Sequence, residues 1–459
     1  MFFSFHNAQR VILASLFTLG ALGNLYAQDK AAIKPYTIYE DKENDVQVML
    51  GARFITDLSF SSSEYTPVRS GADISDARIR TSLNYKKWYF YGDFDFGGGK
   101  FHQRNLFVRY FLKNDEQSSK SIKFGYYAEP FSMNLNTSEY AMKFMNRPSS
   151  VNALGNFRAL GITYKYFNNR FFSDQGLFTE DVLEQKKPAG NQSWNLTGRY
   201  VYLPISNSDM TLHLGGSLRY RQINGGELIN EGKTLKTNLS IASPLELGID
   251  HNNSFVNADV PWAKNLYKAG FEALLKTPKF FIRGEYVIQK VKKQRPDKEL
   301  FEAQLGGIWS WTTLESWQKA NPLGDSHFDG GYVEVGYLLN NKSKYKYNKE
   351  FALISGNYDE GTLEAVARYN YTNLNDIAPG DVFLKGKDKF YPNGNITDYP
   401  NESLTIAGGR VHSATVGLNY TFNRHAILSA GYTYSHLDNP YFPNDKNFHS
   451  VQARMMFSF

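Results

Sequence analysis

Arg53, Arg78, Arg80 and Arg109 are the side chains of this chain best placed to do chemistry, because each falls on the polar face of an alternating segment whose other face is free of charge. A guanidinium offers forked N–H donors that match carboxylate or phosphate oxygens, so such a group recognises anions without making or breaking bonds. Lys123 shares that phase. Lys143 and Arg147 follow Glu139 at four-residue spacing, which puts all three on one face if the segment turns helical. Thr137 or Ser138 can cap that helix, Tyr140, Ala141, Phe144 and Met145 can pack it, and Pro148 can end it. The competing reading is a surface loop with a solvated charge row. Bond-making chemistry has little support. The histidines form no metal-ligand spacing, a G-x-S-x-G elbow is missing, and Gly97-Gly98-Gly99 lacks the Lys-Ser or Lys-Thr of a phosphate loop. No catalytic residue, cofactor or metal is expected, and the evenly spread charge argues against a nucleic-acid partner.

The elements that must carry these cations are strands. Ala77, Ile79, Thr81, Leu83 and Tyr85 alternate with Asp76, Arg78, Arg80, Ser82 and Asn84, and Trp88 to Phe96, Tyr267 to Leu275 and Leu363 to Tyr371 repeat the pattern. A cation on a lipid-facing strand costs about 2–4 kcal/mol at the bilayer midplane and little on the wet back of a soluble sheet. Charge-free faces therefore point to lipid and polar faces to a watery lumen. The last strand, Val451 to Phe459, is apolar on one face in the same way. The fold class is all-β, a transmembrane antiparallel barrel with an inward-folded constriction loop at 128–158; a soluble β-sandwich is the structural outlier. Strands are predicted near 46–60, 74–85, 88–96, 105–112, 121–127, 159–167, 171–178, 193–202, 210–221, 265–276, 280–291, 331–340, 361–374, 411–422, 426–437 and 449–459. That makes about sixteen. Eighteen stays open because 341–360 is long for a turn and Trp309 and Trp311 could belong to a further hairpin. Tight turns alternate with long loops, as short periplasmic turns and long extracellular loops would. Aromatic residues at strand ends, such as Tyr85, Trp88, Tyr420 and Phe422, are expected to form girdles at the membrane interfaces.

Arg10 followed by the apolar run Val11 to Leu22 and by Leu25-Tyr26-Ala27 reads as a secretory signal peptide over 1–27, cut near Ala27. Residues 28–45 then form a periplasmic segment and 46–459 the barrel. The chain has no Cys, which rules out a lipobox and any disulfide framework. Export leads to the outer membrane of a Gram-negative bacterium, with lipid as the first partner. Strand phase sends Arg53, Arg78, Arg80, Arg109, Lys123, Lys165, Arg199, Arg219, Arg221, Lys268, Lys276, Arg283, Arg368 and Arg454 inward against Asp57, Asp76, Asp93, Asp95, Glu272, Glu285, Glu334 and Glu364, a basic excess of about six. Pairs such as Arg283 with Glu285 or Arg368 with Glu364 read as salt bridges, which leaves Arg53, Arg78, Arg80 and Arg109 as the unpaired selectivity candidates.

Several stretches resemble the phosphate-selective porins O and P of bacterial outer membranes. They include Ala77-Arg78-Ile79 with Tyr91-Gly92-Asp93-Phe94-Asp95-Phe96, then Asn105-Leu106-Phe107-Val108-Arg109-Tyr110 and Phe124-Gly125-Tyr126-Tyr127-Ala128-Glu129-Pro130-Phe131-Ser132. Thr137-Ser138-Glu139-Tyr140, Arg283-Gly284-Glu285-Tyr286, Gly361 to Tyr369 and Val416-Gly417-Leu418-Asn419-Tyr420 follow in order, so the resemblance covers most of the chain after residue 45. It implies a homotrimeric diffusion porin with a basic lumen that passes small hydrophilic anions. The family often carries two arginines where this chain has Ser75-Asp76, so the resemblance does not carry phosphate selectivity over. Two other functions fit a barrel. One is a saccharide-type porin with a stacking track of Tyr89, Tyr91 and Tyr127. The other is a surface receptor or adhesin built on the loops 222–264 and 292–330.

Overall fold

The computed structural model describes residues 35–459 apart from 100, 116–117, 156–157, 183–188, 230–231, 233, 252, 294–312, 315–324, 356–358, 378–381, 384–389 and 392–405. The expected signal peptide, Trp309 and Trp311 lie outside the described residues.

Sixteen strands close into one antiparallel barrel: β1 (Val46–Ser62), β2 (Gly71–Tyr85), β3 (Trp88–Asp95), β4 (His102–Asn114), β5 (Ser118–Ala128), β6 (Arg158–Asn168), β7 (Phe171–Phe178), β8 (Trp194–Ser206), β9 (Thr211–Gln222), β10 (Ala263–Lys276), β11 (Phe280–Lys293), β12 (Ser326–Leu338), β13 (Thr362–Asp376), β14 (Ile406–Asn423), β15 (Ala426–Asp438) and β16 (Asn447–Ser458). Each pairs with its sequence neighbours, and β16 returns to β1 from Arg53↔Ser458 to Ser62↔His449, which removes the sheet edges. The alternation seen in the sequence is the inside–outside alternation of this wall. Phe54, Leu58, Ile79, Phe90, Leu106, Phe124, Ile162, Leu218, Phe271 and Val416 are exposed on the outside, where lipid covers them. Outward aromatics contact one another near both ends, Trp88 with Tyr110 (4.7 Å) at the turn end and Trp194 with Tyr220 (5.3 Å) at the loop end.

Several strands run past their expected ends. β8 continues to Ser206 across a register shift between Tyr202 and Ile205, where Pro204 has no N–H for the ladder. β12 starts at Ser326 because Gly330-Gly331, a break by composition, stays in the sheet. The strand Tyr36–Asp41 lies within the stretch expected as a periplasmic segment and pairs with Val46–Leu50 of β1 through a turn in which Asp41 accepts the Glu43 and Asn44 N–H groups. The described residues of 341–360 add no barrel strand; they form the short pair Tyr347–Asn348 and Leu353–Ile354.

Among the described residues, three connections fold into the barrel. The 129–155 segment carries one 3-10 turn (Glu139–Ala141) and α1 (Ser149–Leu154). The connection after β9 forms a hairpin, Asn238–Ser243 with Val256–Pro261. Its apolar residues Leu239, Ile241, Val256, Ala258 and Val260 are buried with Val291, Phe328, Leu374, Val411, Leu437 and Phe448. Inward positions near the loop ends of β11 to β16 are thus apolar, and that part of the lumen is a packed core. This corrects the picture of loop 222–264 as a purely surface feature, because water contact for so much apolar surface would be unfavourable. Most of 292–330, the other loop of the receptor reading, is outside the described residues. The third connection, between β12 and β13, enters from the turn end.

Candidate pore and its constriction

Lumen side chains on the β8–β13 wall are dry. Arg283 pairs with Glu334 (2.6 Å), directly opposite in register, and Arg368 reaches both Glu334 and Glu246, all at 1–2% side-chain exposure. Arg199 pairs with Glu272 (2.9 Å) and Arg219 with Glu129 (2.8 Å). The expected partners Glu285 and Glu364 are otherwise engaged: Glu285 accepts the Met133 and Asn134 N–H groups, and Glu364 holds Lys143 (2.8 Å). Side chains two apart on one strand point the same way, but register puts an opposite charge closer on the next strand.

The 129–155 segment is latched to this dry wall. Asn370 accepts from the Ser150 N–H (3.2 Å) and hydroxyl (2.6 Å) and donates to the Ser149 hydroxyl (2.7 Å), while Lys268 donates to the Leu154 carbonyl (2.7 Å). Gly330 makes the close approach possible, since a Cβ there would sit 3.0 Å from Ser150 Cβ and 2.9 Å from the Tyr371 carbonyl. Pro148 precedes α1 and does not end a helix; its fixed φ suits a helix start. The helix expected over 139–147 is only one turn, so Glu139, Lys143 and Arg147 do not share a face. Lys143 turns away to Glu364 and is 5% exposed, which corrects its placement facing the channel. Arg147 bonds Glu139 (2.8 Å) and the Asn134 and Thr137 carbonyls, stapling the segment. Ser138 makes no cap bond; its hydroxyl accepts from Arg53 (3.4 Å).

Solvent reaches the other side, between β1–β5 and residues 139–147, where Arg104 keeps 27% and Glu139 28% side-chain exposure. Here Arg53 grips Asp76 through two N–H donors at 2.8 Å, and Arg78 contacts Asp76 (2.6 Å) and Asp93 (3.2 Å). Arg53, Arg78 and Arg109 are therefore not the unpaired cations their phase suggests. Residue 76, which departs from the resemblance, is the partner of two of them. Arg80 meets the Phe459 main-chain oxygen (3.4 Å) and the Tyr140 ring (5.8 Å). Arg454 pairs with Asp57 (2.7 Å), and Arg158 bonds Asn105 (3.1 Å). Arg53, Arg78, Arg80, Arg104, Arg147, Arg158 and Arg454 thus face five carboxylates, Asp57, Asp76, Asp93, Asp95 and Glu139. Burial favours a neutral Glu139, but Arg147, Arg53, Arg454 and Arg78 outweigh it and hold its carboxyl far below the usual range.

Nearer the turn end, Arg109 and Lys123 are opposite in register and Lys165 lies on the next strand, β6. Segment 339–361 meets them: Glu350 pairs with Arg109 (2.7 Å), Phe351 and Ala352 carbonyls accept from Arg199 (2.9 Å each), and Tyr347 bonds His213 (2.8 Å). Tyr89, Tyr91 and Phe107 contact one another on the inner wall, with 6.2 Å and 5.2 Å between successive ring centroids, and Tyr127 follows at 5.8 Å. Sequence reasoning missed Glu129, Glu246, Glu350, Arg104 and Arg158 as lumen charges. The excess length of 341–360 and the inward apolar positions near the loop ends were the available signals for Glu350 and Glu246.

A closed sixteen-stranded barrel with an apolar wall, a charged lumen and connections folded into it defines an outer-membrane porin. Residues 49–459 match the model of the phosphate-selective porin O and P family, and the chain belongs to that family. An uncharacterized protein of Caulobacter vibrioides is 24% identical over 247 residues, a match that spans 51% of this chain and 42% of that protein. Similar solved structures include OmpT of Vibrio cholerae with loop L8 deleted (13% identity, 90% of this chain, 100% of that one, TM-score 0.48). The outer membrane channel DcaP of Acinetobacter baumannii (11%, 92%, 100%, 0.49) and OprB of Pseudomonas putida (9%, 91%, 95%, 0.49) are others.

Proposed function

We propose that this porin passes small hydrophilic solutes passively with a bias toward anions, and that it works as a homotrimer. The observation that supports the bias is the imbalance, among the described residues, along the strip between β1–β5 and residues 139–147, where seven arginines face five side-chain carboxylates and the Phe459 main-chain oxygen, with Arg78, Arg104, Arg147, Arg454 and Glu139 partly exposed. An excess of fixed cations lowers the barrier for anions and raises it for cations. Arg53, Arg78 and Arg80 belong to this strip in the proposal, Arg109 and Lys123 form a further cation cluster nearer the turn end, Arg147 shapes the strip, and Lys143 acts only through its hold on Glu364. The trimer rests on the family resemblance and is tested by the mass of the detergent-solubilised complex. Selectivity is tested by the reversal potential of purified protein in a planar bilayer under a potassium chloride gradient, followed by exchange of chloride for phosphate. A potential on the anion side supports the reading, and one on the cation side refutes it. The contacts among Tyr89, Tyr91 and Phe107 favour a second reading, a sugar track, which predicts saturable block by neutral sugars.

A further inference from the structure

The connection between β12 and β13 brings a carboxylate to a place where the barrel wall has gathered cations and rings. Glu350 is 37% exposed in its side chain, yet its oxygen reaches Arg109, which is 7% exposed, at 2.7 Å. Only one nitrogen of that guanidinium is engaged by Glu350, and Arg109 Nε is buried with no hydrogen-bond partner. The ammonium groups of the two neighbouring lysines lie over rings, Lys123 over Tyr127 at 3.7 Å and Phe107 at 5.4 Å, Lys165 over Phe351 at 4.4 Å. Burial would raise the Glu350 pKa, but Lys165, Arg109 and Lys123 together hold it below the ordinary carboxylate range, so all three cations bear on this one group. Asp174 shares the neighbourhood, opposite Lys165 in register. Beside the cations, Phe107 and Tyr91 stack at 5.2 Å and 25°.

We propose that Arg109, Lys123 and Lys165, with the rings of Phe107 and Tyr91, form an inner-mouth site for a carboxylate borne on a ring, and that Glu350 is its resident counter-ion, displaced by the permeating solute. The proposal rests on the anion-porin reading. A guanidinium with a spare N–H donates to a second carboxylate oxygen, and a flat ring finds aromatic faces within reach of the same charge. The Glu350 side chain swings out while its backbone stays anchored, because the carbonyls of Phe351 and Ala352 remain bonded to Arg199.

The test compares wild type, E350Q and E350Q/R109Q in planar bilayers, reading block of chloride current by benzoate and by acetate. Benzoate is expected to block E350Q at about tenfold lower concentration than wild type, acetate to block more weakly, and the double variant to lose the gain. Equal block of wild type and E350Q by benzoate overturns the site, and equal potency of acetate and benzoate overturns the ring component. The wild-type reversal potential in the same membranes judges the anion bias separately, since the site stands or falls on the difference between variants. Benzoate-dependent thermal stabilisation of the solubilised barrel gives a second readout that needs no conductance. Stabilisation of E350Q above wild type supports the site, and none in either overturns it. If E350Q does not fold, E350D, which shortens the arm by one methylene, is expected to show an intermediate gain.

Discussion

Asn370 of β13 is the latch of the constriction, and Asn370→Ala should loosen it without touching the barrel. The side chain makes three hydrogen bonds of 3.2 Å or shorter to Ser149 and Ser150, and it is fully buried. Each is worth about 1 kcal/mol net, so the substitution removes roughly 3 kcal/mol from docking of the segment. A shift of that size multiplies the undocked population by about 100-fold. An undocked state at ~0.1%, the low end for minor conformers, would rise to about 10%. The main-chain ladder through Asn370 pairs with Tyr332 and Ser413 regardless of its side chain, so the barrel itself is expected to keep its heat-modifiable mobility. In single-channel recordings the wild type should show one level and N370A frequent excursions to a higher conductance. An unchanged level and unchanged noise in a folded N370A would falsify the assignment of 129–155 as the constriction held by this contact.

Other outcomes follow from the same geometry. E139Q removes a carboxylate from among four arginines while Arg147 keeps its bonds to Asn134 and Thr137; one unit charge at ~4 Å is worth about 1 kcal/mol in water, so the anion-to-cation permeability ratio should rise about fivefold by reversal potential. R53A leaves buried Asp76 with Arg78 alone, and breaking a buried pair costs about 3–5 kcal/mol, so the denaturant midpoint of the solubilised protein should fall. Glu350 has its folded pKa lowered from 4.5, so its contribution is fully present above that value and is lost as pH falls through the lower folded value. The Glu350-dependent part of the conductance should therefore change only below the ordinary carboxylate range, and E350Q should abolish that acid-side change. G330L places a side chain where Ser150 and the Tyr371 carbonyl sit, and should raise single-channel conductance by forcing α1 off the wall.

Much of the wall was legible in the sequence. Ala77 to Tyr85 and Trp88 to Phe96 assign each residue to lipid or lumen by parity alone, and the inward phase of Arg53, Arg78, Arg199 and Arg368 agrees with the barrel, because a strand's side-chain period is two whatever it pairs with. Strand count followed from turn spacing. Gly330-Gly331 hid the start of β12, since composition cannot tell a loop glycine from one kept small so that a helix can approach.

The site was legible only as a set of inward charges. Parity says that Arg368 faces the lumen; it does not say that Glu334 stands opposite on β12 or that Glu246 arrives from a hairpin more than a hundred residues earlier. It likewise places Arg109 inward without revealing that Glu350 reaches up from a turn to meet it. The sequence by itself determined the alternation and the closed wall, because these depend on the pleat and on neighbours within a few residues. Tertiary structure alone decided which cations are neutralised, which half of the lumen is dry and where solvent reaches. Those outcomes depend on strand register and on three distant connections burying their apolar and charged groups inside the barrel, where an unpaired charge costs far more than one in water.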